Sequence, residues 1–364
     1  MWIGLVGSEM CIRDRNYTPE SHREGLATYF REFLRAHMKT WINDDNNRKP
    51  DGSKYNLNTD GLKIYTTINY SMQEMAENAV TSHMPRLQKE FFEQNETLDD
   101  SIAPFRELTS GAVDTLLRVS MRRSERWRKM KYDLKKNDEE IEESFYIPKE
   151  MTVFSWAGEI DTTMTPLDSM KYYKSFFRPG MMSMDPTNGY IKAWVGGMNY
   201  RHFQYDMVKK GKRQIGSTFK PFVYAAAIDQ LKLSPCDTFP DSQFCIEKNK
   251  FGNVEQWCPK NSGDKYGRTR TLKNALANSV NTITARLIDR IGPRTVVKLA
   301  KDLGIEQRIL PVPSIALGTP DLSVYEMVAA YSTFANKGVY TQPVFIERID
   351  DKNGTTLYLS LIHI

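Results

Sequence analysis

The chain has 364 residues, and at about 150 residues per domain this length predicts two or three domains. Its 50 basic and 45 acidic residues give a net charge of +5, which is too balanced to indicate nucleic-acid binding. Hydrophobic residues make up 40% of the chain and the mean hydropathy is −0.54, as expected of a folded, soluble protein. No apolar run approaches the roughly 18 residues that a membrane-spanning helix requires.

The two ends of the chain have an atypical composition. Residues 1–15 contain a short apolar run that Glu9 interrupts, and they lack the basic start of a signal peptide. They resemble a translated sequencing-adapter scar, and so do residues 359–364. We therefore expect a non-native leader at residues 1–15 and a non-native tail at residues 359–364, with the native protein truncated at both ends.

Residues 16–60 are expected to form a helical connector and a linker. Within them, Ser21–Trp41 has the periodicity of an amphipathic helix. Its apolar stripe consists of Leu26, Phe30, Phe33, Leu34 and Trp41. Asp44–Asp60 is rich in Asn, Asp, Gly and Lys, which predicts the linker.

Residues 61–178 are expected to form a mixed α/β connector region. L-K-I-Y-T-T-I alternates as a strand does, and Ser71-x-x-Glu74 after it has the pattern of a capping box that opens a helix. The residues expected on the inward face of that helix are Met72, Met75, Ala76 and Ala79. Arg118–Glu143 and Phe145–Met164 are interpreted as helical segments without an assigned function.

Arg118–Lys136 carries many basic residues, and Asp138–Glu143 is acidic. One interpretation is a basic patch for an anionic lipid or polymer. The other, which we favour, is a solvated pair of helical segments whose opposite charges compensate each other.

Residues 179–358 differ in sequence pattern from the residues before them. M-M-S-M-D-P-T-N-G-Y-I-K-A-W-V predicts a hairpin, because Asn-Gly between two apolar runs is a strong turn signal. Ser323-x-x-Glu326 is a second capping box, and its helix is expected to close at Gly338. Further helices are predicted at about Phe219–Gln230, Leu272–Ile291 and Arg294–Leu303.

The segment R-Q-I-G-S-T-F-K-P-F-V-Y contains a candidate nucleophile, Ser217, just after Gly216 and three residues before Lys220. Residues three apart share a helix face, so the lysine amine can lie beside the serine hydroxyl and act as its base once burial depresses its pKa. Pro221 favours a helix start here, where partial positive charge stabilises a forming oxyanion. An ordinary capped helix gives the same pattern.

A second candidate pair follows in A-L-A-N-S-V-N-T, where Ser279 precedes Asn281 by two residues. The Ser279 hydroxyl could relay a proton to a leaving group, and the Asn281 amide could hold a substrate backbone. Alone, the pair is as well explained by helix capping.

Together these segments resemble the transpeptidase portion of class A, bifunctional penicillin-binding proteins, which share Ser-x-x-Lys and Ser-x-Asn motifs with serine β-lactamases. D-P-T-N-G-Y-I-K-A-W-V-G-G and I-A-L-G-T-P-D-L-S-V-Y-E-M follow in the family's order. S-H-R-E-G-L-A-T-Y-F-R-E-F-L and D-G-L-K-I-Y-T-T-I-N resemble the connector behind the glycosyltransferase domain. The resemblance implies an α+β fold with helices packed on an antiparallel sheet, incomplete here, after a mixed α/β connector.

The resemblance further implies a peptidoglycan D,D-transpeptidase. Ser217 would attack the D-Ala–D-Ala bond of a stem peptide, Lys220 would activate it, Ser279 would shuttle a proton, and Asn281 would position Lys220 and the substrate amide. Implied partners are stem peptides, their lipid-linked precursor, β-lactams and the bacterial membrane, reached through a missing N-terminal anchor, with no nucleic acid. No metal or organic cofactor is implied, and the location would be the periplasm or the extracytoplasmic membrane face.

Two alternatives stay open. One is a serine hydrolase of the same superfamily, a D,D-carboxypeptidase or β-lactamase, although the connector residues favour a synthase. The other is an inactive fragment, because no Lys-Thr-Gly motif is present.

The cysteines offer one candidate disulfide. Cys245 and Cys258 flank a segment whose midpoint lies between Phe251 and Gly252, so a hairpin that turns there brings them opposite each other. The extracytoplasmic setting that the resemblance implies would preserve such a bond. Two free, buried thiols are the alternative, and Cys236 has no evident partner.

Lys352-Asn353-Gly354 looks like the third family motif, Lys-Thr-Gly, but has the wrong middle residue. Asn-Gly between V-F-I-E-R-I and T-L-Y instead predicts a hairpin turn. The strand that completes the oxyanion hole would then lie beyond the sequence, and we expect this chain to be acylated slowly or not at all.

Overall fold

The computed structural model describes residues 24–97, 103–105 and 107–360. The α-helices of these residues are α1 (Thr28–Trp41), α2 (Tyr70–Asn95), α3 (Ser110–Arg122), α4 (Glu125–Arg128), α5 (Asp138–Glu143), α6 (Pro166–Lys174), α7 (Lys220–Leu231), α8 (Leu272–Ala277), α9 (Asn281–Ile291), α10 (Pro293–Asp302) and α11 (Val324–Ala335). The strands are β1 (Lys63–Thr66), β2 (Lys149–Ser155), β3 (Gly158–Met164), β4 (Met181–Met184), β5 (Ile191–Val195), β6 (Lys212–Gln214), β7 (Thr238–Pro240), β8 (Thr269–Thr271), β9 (Asp321–Ser323), β10 (Ile346–Asp350) and β11 (Thr356–Leu359).

Every named strand pair in the described residues is antiparallel. The sheets have the strand orders β1-β10-β11, β2-β3, β4-β5, β6-β9 and β7-β8. Helices packed on small antiparallel sheets make this an α+β fold, which confirms the predicted class. No helix in the described part of the chain is both long enough and apolar enough to cross a membrane.

The largest hydrophobic core lies among α7, α9 and α10. Phe222, Leu287 and Val296, one from each helix, are fully buried there. Burying a side chain of this size contributes roughly 1.5–3 kcal/mol. This core packs against the start of α7. The candidate nucleophile lies at that helix start.

Helix α1 forms a second core with β5, as the apolar stripe of Ser21–Trp41 predicted. It begins at Thr28, and residues 21–23 lie outside the described residues. Phe33 stacks on the fully buried Trp194 with ring centroids 4.7 Å apart. Asp44–Asp60 contains no helix or strand, in agreement with the predicted linker.

Strand β1 pairs with β10, so a segment near residue 65 completes a sheet with a segment near residue 348. The connection continues beyond the strand, because the Thr67 hydroxyl contacts the carbonyl oxygens of Ile191 and Val344, each at 2.8 Å. The predicted strand in L-K-I-Y-T-T-I is therefore confirmed, and it is an integral part of the second half of the fold.

The prediction for the start and inward face of α2 was wrong. Asn69, not Ser71, caps the helix by accepting a hydrogen bond from the Met72 amide at 3.0 Å. Met72 and Met75 are 37% and 62% exposed, and Ala79 is exposed as well. Ala76 is buried as predicted, beside Gln73.

Gln73 explains the difference. Its amide donates to the Trp194 carbonyl oxygen at 2.9 Å and accepts from the Trp194 amide at 2.7 Å. A glutamine that satisfies both backbone groups of β5 turns its own face of α2 inward, although a count of apolar residues favours the methionine face.

Phe145–Met164 is also corrected. It contains the β2-β3 hairpin, with the full register from Lys149↔Met164 to Ser155↔Gly158, and not a helix. Thr152 is exposed and Val153 is buried, as expected of a strand with one covered face, but Phe154 is buried too, so the end of β2 is covered on both faces.

The charges of Arg118–Glu143 compensate each other, as we favoured from the sequence. Cross-pairs join Arg118 to Glu142 at 3.6 Å and Lys131 to Asp138 at 2.9 Å. Both pairs are at least partly exposed, and ion pairs at the surface contribute only about 0–1 kcal/mol each.

Two sequence-predicted turns and one cap are confirmed. Asn188-Gly189 joins β4 to β5, with Gly189 at φ +72°. In the capping box of α11, the Ser323 hydroxyl accepts from the Glu326 amide at 3.2 Å, and Glu326 returns the contact to the Ser323 amide at 3.1 Å. Asp351 to Thr355 forms the turn between β10 and β11, so Lys352 lies in a hairpin turn.

The structure contains the predicted disulfide between Cys245 and Cys258, with Cα atoms 4.2 Å apart. Ile246 and Trp257 pair across the hairpin through two backbone hydrogen bonds of 2.9 Å. Cys236 is free and exposed. The disulfide therefore closes the base of an irregular hairpin that has little other regular structure.

Replacing Cys245 and Cys258 by serine should lower the free energy of unfolding by about 2–4 kcal/mol, because the crosslink restricts the unfolded chain. Urea unfolding of the oxidised wild type and the double variant measures this difference. Cys236→Ser is the matched control, and we expect a change within about 0.5 kcal/mol for this exposed thiol. Equal midpoints for wild type and double variant would contradict the prediction.

Candidate active site

The candidate nucleophile lies in a tight turn that leads directly into α7. Gly216–Phe219 forms a 3₁₀ turn, and α7 continues from Lys220 with Pro221 in its first turn. Ser217 is exposed, whereas Lys220 is only 1% exposed. The predicted placement of Ser217 at a helix start is therefore found, one helical turn before the lysine.

A second segment, residues 318–320, is hydrogen-bonded to this turn. The Gly216 amide donates to the Gly318 carbonyl oxygen at 2.9 Å, and the Ile215 amide donates to the Pro320 carbonyl oxygen at 3.2 Å. Gly318 has φ +77°, and a Cβ atom on it would overlap the Gly216 carbonyl oxygen. Only glycine fits at this crossing, because both the positive φ and the close backbone approach exclude a side chain.

Helix α11 contacts the same turn. The Tyr331 hydroxyl donates to the Thr218 carbonyl oxygen at 2.5 Å. An open groove of about 620 Å³ adjoins this contact, and Ile215, Leu322 and Met327 are among its mostly apolar lining residues. The residue after the exposed serine, Thr218, therefore lines a mostly apolar groove.

The Lys220 amine makes three short contacts. Its Nζ atom lies 2.5 Å from the Ser279 carbonyl oxygen, 2.9 Å from the Ser279 Oγ atom and 2.6 Å from the Asn281 Oδ1 atom. Burial lowers the pKa of Lys220 from its ordinary value to about 8. At pH 7 about one-tenth of the amines with such a pKa are deprotonated.

These partners suit both protonation states of the amine. A protonated Lys220 can donate to all three oxygens. A neutral amine has two hydrogens and one lone pair. It can donate to the Ser279 carbonyl and to Asn281, and accept the hydroxyl proton of Ser279. The cluster is therefore able to pass a proton between Lys220 and Ser279 without breaking its geometry.

Ser279 lies at a break in the helix predicted for Leu272–Ile291. The structure has α8 and α9 instead, and Ser279 adopts φ +53° between them. A positive φ is unfavourable for a residue with a Cβ atom, so tertiary contacts must hold it there. The break turns both the carbonyl and the hydroxyl of Ser279 toward Lys220.

The structure thus brings together Lys220, Ser279 and Asn281, but it does not connect them to the nucleophile. Among the described residues, the Ser217 hydroxyl has no hydrogen-bond partner. Hydrogen bonds between a nucleophile and its base are often long or poorly aligned before substrate binds, and they tighten in the substrate complex. Nor do three or more His, Cys, Asp or Glu side chains gather as a possible metal site anywhere in residues 24–97, 103–105 and 107–360.

Sequence reasoning missed the residues that hold Asn281. Its Nδ2 atom donates to the Lys260 carbonyl oxygen at 2.7 Å, and its amide donates to the Asn261 Oδ1 atom at 3.0 Å. Asn261 is in turn bonded to the fully buried Asp241. The loop N-S-G-D has no periodic pattern, and a buried carboxylate at Asp241 has no local sequence signal.

Comparison with protein families identifies two matching regions. The family described as the penicillin-binding protein transpeptidase domain matches residues 179–360, which is half of the chain. The family described as the penicillin-binding protein middle domain matches residues 100–177.

Curated relatives carry the name penicillin-binding protein 1A. The protein from Aquifex aeolicus is 36% identical over 179 residues, which cover 49% of this chain and 24% of that relative. The protein from Haemophilus influenzae is 25% identical over 363 residues, which cover 93% of this chain and 39% of that relative. The chain therefore spans well under half the length of these relatives.

Solved structures agree in fold. The crystal structure of penicillin-binding protein 1A from Haemophilus influenzae has a TM-score of 0.59 at 22% identity, covering 97% of this chain and 53% of that one. The penicillin-binding protein PonA1 from Mycobacterium tuberculosis has a TM-score of 0.53 at 20% identity, covering 91% and 63%. The chain belongs to the penicillin-binding protein transpeptidase family, and it corresponds to the transpeptidase portion of a class A member.

Proposed function

We propose that the domain is a peptidoglycan D,D-transpeptidase that works through an acyl-enzyme on Ser217. The observation that carries the proposal is the buried Lys220 amine, one helical turn after an exposed serine and within 2.9 Å of the Ser279 Oγ atom. A depressed pKa of about 8 suits a base that must be neutral to accept a proton near physiological pH.

The proposed reaction has two halves. Ser217 Oγ attacks the carbonyl carbon between the two D-alanines while its proton passes to Lys220. The amide bond breaks as Ser279 delivers a proton to the leaving nitrogen, and Lys220 restores the Ser279 proton. D-Alanine departs and the stem peptide remains as an ester on Ser217. An amine of a neighbouring stem peptide then attacks this ester, forms the cross-link and returns the proton to Ser217.

The positive end of the helix start favours this reaction. Ser217 precedes α7, in which the Lys220 amide donates to the Ser217 carbonyl oxygen and Pro221 has no N–H, so the helix macrodipole provides the partial positive charge at this end. This charge stabilises the oxyanion that develops when Ser217 attacks. Asn281 contributes by holding the Lys220 amine through its Oδ1 atom and by offering the substrate the second hydrogen of its Nδ2 atom, since the first is donated to the Lys260 carbonyl oxygen.

The wider assignment follows the family. The substrate is the stem peptide on peptidoglycan or on its lipid-linked precursor, and β-lactams acylate Ser217 by opening their strained amide ring. The working location is the periplasm or the extracytoplasmic face of the bacterial membrane, which a membrane anchor on the whole protein would provide. The whole protein also carries a peptidoglycan glycosyltransferase.

Incubation with fluorescent penicillin tests the nucleophile. We expect slow covalent labelling, located to the peptide that contains Ser217 by mass spectrometry and absent in Ser217→Ala. Because the adduct accumulates, long incubations detect even a slow reaction. Ser82→Ala removes an exposed hydroxyl elsewhere and should label as the wild type does. Labelling that persists in Ser217→Ala would overturn the assignment of the nucleophile.

The acyl acceptor is tested with a synthetic stem peptide ending in D-Ala–D-Ala and an added amine. The expected product is the new amide, with release of D-alanine. A product that is only hydrolysed while the amine is present would favour a D,D-carboxypeptidase.

A further inference from the structure

The fully buried carboxylate of Asp241 organises a polar network behind the Lys220 cluster. Its Oδ1 atom accepts from the Asn261 Nδ2 atom at 2.7 Å and from the Thr282 hydroxyl at 2.8 Å. Its Oδ2 atom accepts from the Arg270 Nε atom at 2.7 Å and from the Gly267 amide at 2.9 Å. Burial alone would raise the pKa of Asp241, but the hydrogen bonds, that from Arg270 first, outweigh it and lower the pKa.

Asn261 transmits this fixed position to the start of α9. Its Nδ2 atom donates to Asp241 and to the Lys265 carbonyl oxygen at 3.0 Å. Its Oδ1 atom accepts from the Asn281 amide at 3.0 Å and the Thr282 amide at 3.2 Å. All four hydrogen-bonding positions of the Asn261 amide are used, so its orientation has a single solution.

The side-chain amide of Asn281 has a single orientation as well. Its Nδ2 atom is committed to the Lys260 carbonyl oxygen, beside Asn261 in the chain, at 2.7 Å. A flipped amide would place two acceptors against each other there and two donors against each other at Lys220. The Asn281 Oδ1 atom therefore has to face the Lys220 amine, from which it lies 2.6 Å.

We propose that Asn261, held by Asp241, is a positioning residue for the Lys220–Asn281 pair. The 241–270 loop thereby controls the amine that the proposed function, on which this inference rests, uses as its base. The four hydrogen bonds of the Asn261 side chain include none to Lys220 or Ser217, so its effect on Lys220 passes through Asn281.

The loop is anchored twice in support of this role. The disulfide between Cys245 and Cys258 closes it, and the Asp241–Asn261 hydrogen bond of 2.7 Å closes a slightly larger ring around the first. The outer closure carries the contact to Asn281. A loop that served only packing would not need this outer closure to be hydrogen-bonded to Asn281, the partner of the lysine.

The test measures Lys220 itself. The wild type and Asn261→Ala are labelled with a small amine reagent across a pH series, and Lys220 labelling is followed by peptide mass spectrometry. We expect Asn261→Ala to be labelled about two- to threefold faster at pH 7, where the neutral fraction of the amine would rise from about one-tenth to about one-quarter. We also expect its titration midpoint to fall by about half a pH unit or more, because the ammonium loses an acceptor that favours its charged form.

Thr282→Val is the matched structural control. It removes a hydrogen bond to the same Asp241 carboxylate but leaves every contact between Asn261 and Asn281 in place. We expect Thr282→Val to lower the free energy of unfolding while its Lys220 titration midpoint stays at the wild-type value. If Asn261→Ala does not fold, Asp241→Asn replaces it and should shift Lys220 in the same direction.

The outcomes separate this inference from the proposed function. A folded Asn261→Ala protein with wild-type Lys220 reactivity and midpoint would overturn the inference, whatever penicillin does. A wild-type chain in which penicillin labels another residue would overturn the proposed function and leave the Lys220 measurement valid. Where penicillin does label Ser217, Asn261→Ala should slow that labelling at least tenfold, and an unchanged rate would count against the positioning role.

Discussion

Lys220→Met should slow the acylation of Ser217 about 10²–10⁴-fold, the range typical for loss of a general base. Methionine keeps the length of the buried side chain but cannot accept a proton. In the wild type, the base must be neutral, so the rate should rise as pH increases through the Lys220 pKa of about 8. The variant should lose this rise. Time courses of labelling with fluorescent penicillin between pH 6 and 10 measure both the rate and its pH dependence.

The control for Lys220→Met is an exposed lysine on a nearby helix. Lys273 lies in α8 and is exposed, so Lys273→Met should retain the wild-type rate and pH profile. The two variants differ in whether the replaced amine touches Ser279 and Asn281. A Lys220→Met protein that is labelled at the wild-type rate would show that Lys220 is not the base.

Gly318→Ala should lower the free energy of unfolding by about 2–5 kcal/mol, combining left-handed backbone strain with a forced displacement of neighbouring backbone. The added methyl group would overlap the Gly216 carbonyl oxygen, one residue before the nucleophile. Because backbone cannot rotate away as a flexible side chain can, the turn that carries Ser217 has to move. Urea unfolding measures the stability, and penicillin labelling should fall with it.

Gly338→Ala separates strain from overlap. Gly338 has φ +88°, close to the +77° of Gly318, but no atom lies within 4 Å of its hypothetical Cβ. Strain alone should cost about 1–2 kcal/mol at this position. Equal losses in the two variants would contradict a specific role for the Gly318–Gly216 crossing.

The local features of the site could be predicted because they depend on residues close in sequence. The three-residue spacing of Ser217 and Lys220, the Asn188-Gly189 turn and the Ser323–Glu326 capping box each follow from one helical turn or one tight turn. Such geometry is set within a few residues and is found where the sequence indicates it. The catalytic roles of Ser217, Lys220, Ser279 and Asn281 stay predictions until the variants are measured.

Features that depend on distant residues could not be predicted. The break at Ser279 contradicts a continuous apolar pattern, since contacts with Lys220, 59 residues away, accompany its positive φ. The inward face of α2 depends on Gln73 bonding to Trp194, 121 residues away. A periodicity argument assigns apolar residues to the buried face. It does not identify a buried polar residue whose hydrogen-bond partner lies in another element.

The pairing of β1 with β10 has a consequence for how the chain folds. In this sheet Lys63 pairs with Asp350 and Ile64 pairs with Ile349. Most of the described chain lies between these partners, so the sheet forms only after a very large loop closes. Such non-local contacts slow folding. During synthesis, β1 cannot pair with β10 until residue 350 has left the ribosome. The boundary between the two family matches is therefore not a folding boundary. A protein cut between residues 178 and 179 would leave β10 without its first neighbour, and its exposed edge would invite aggregation.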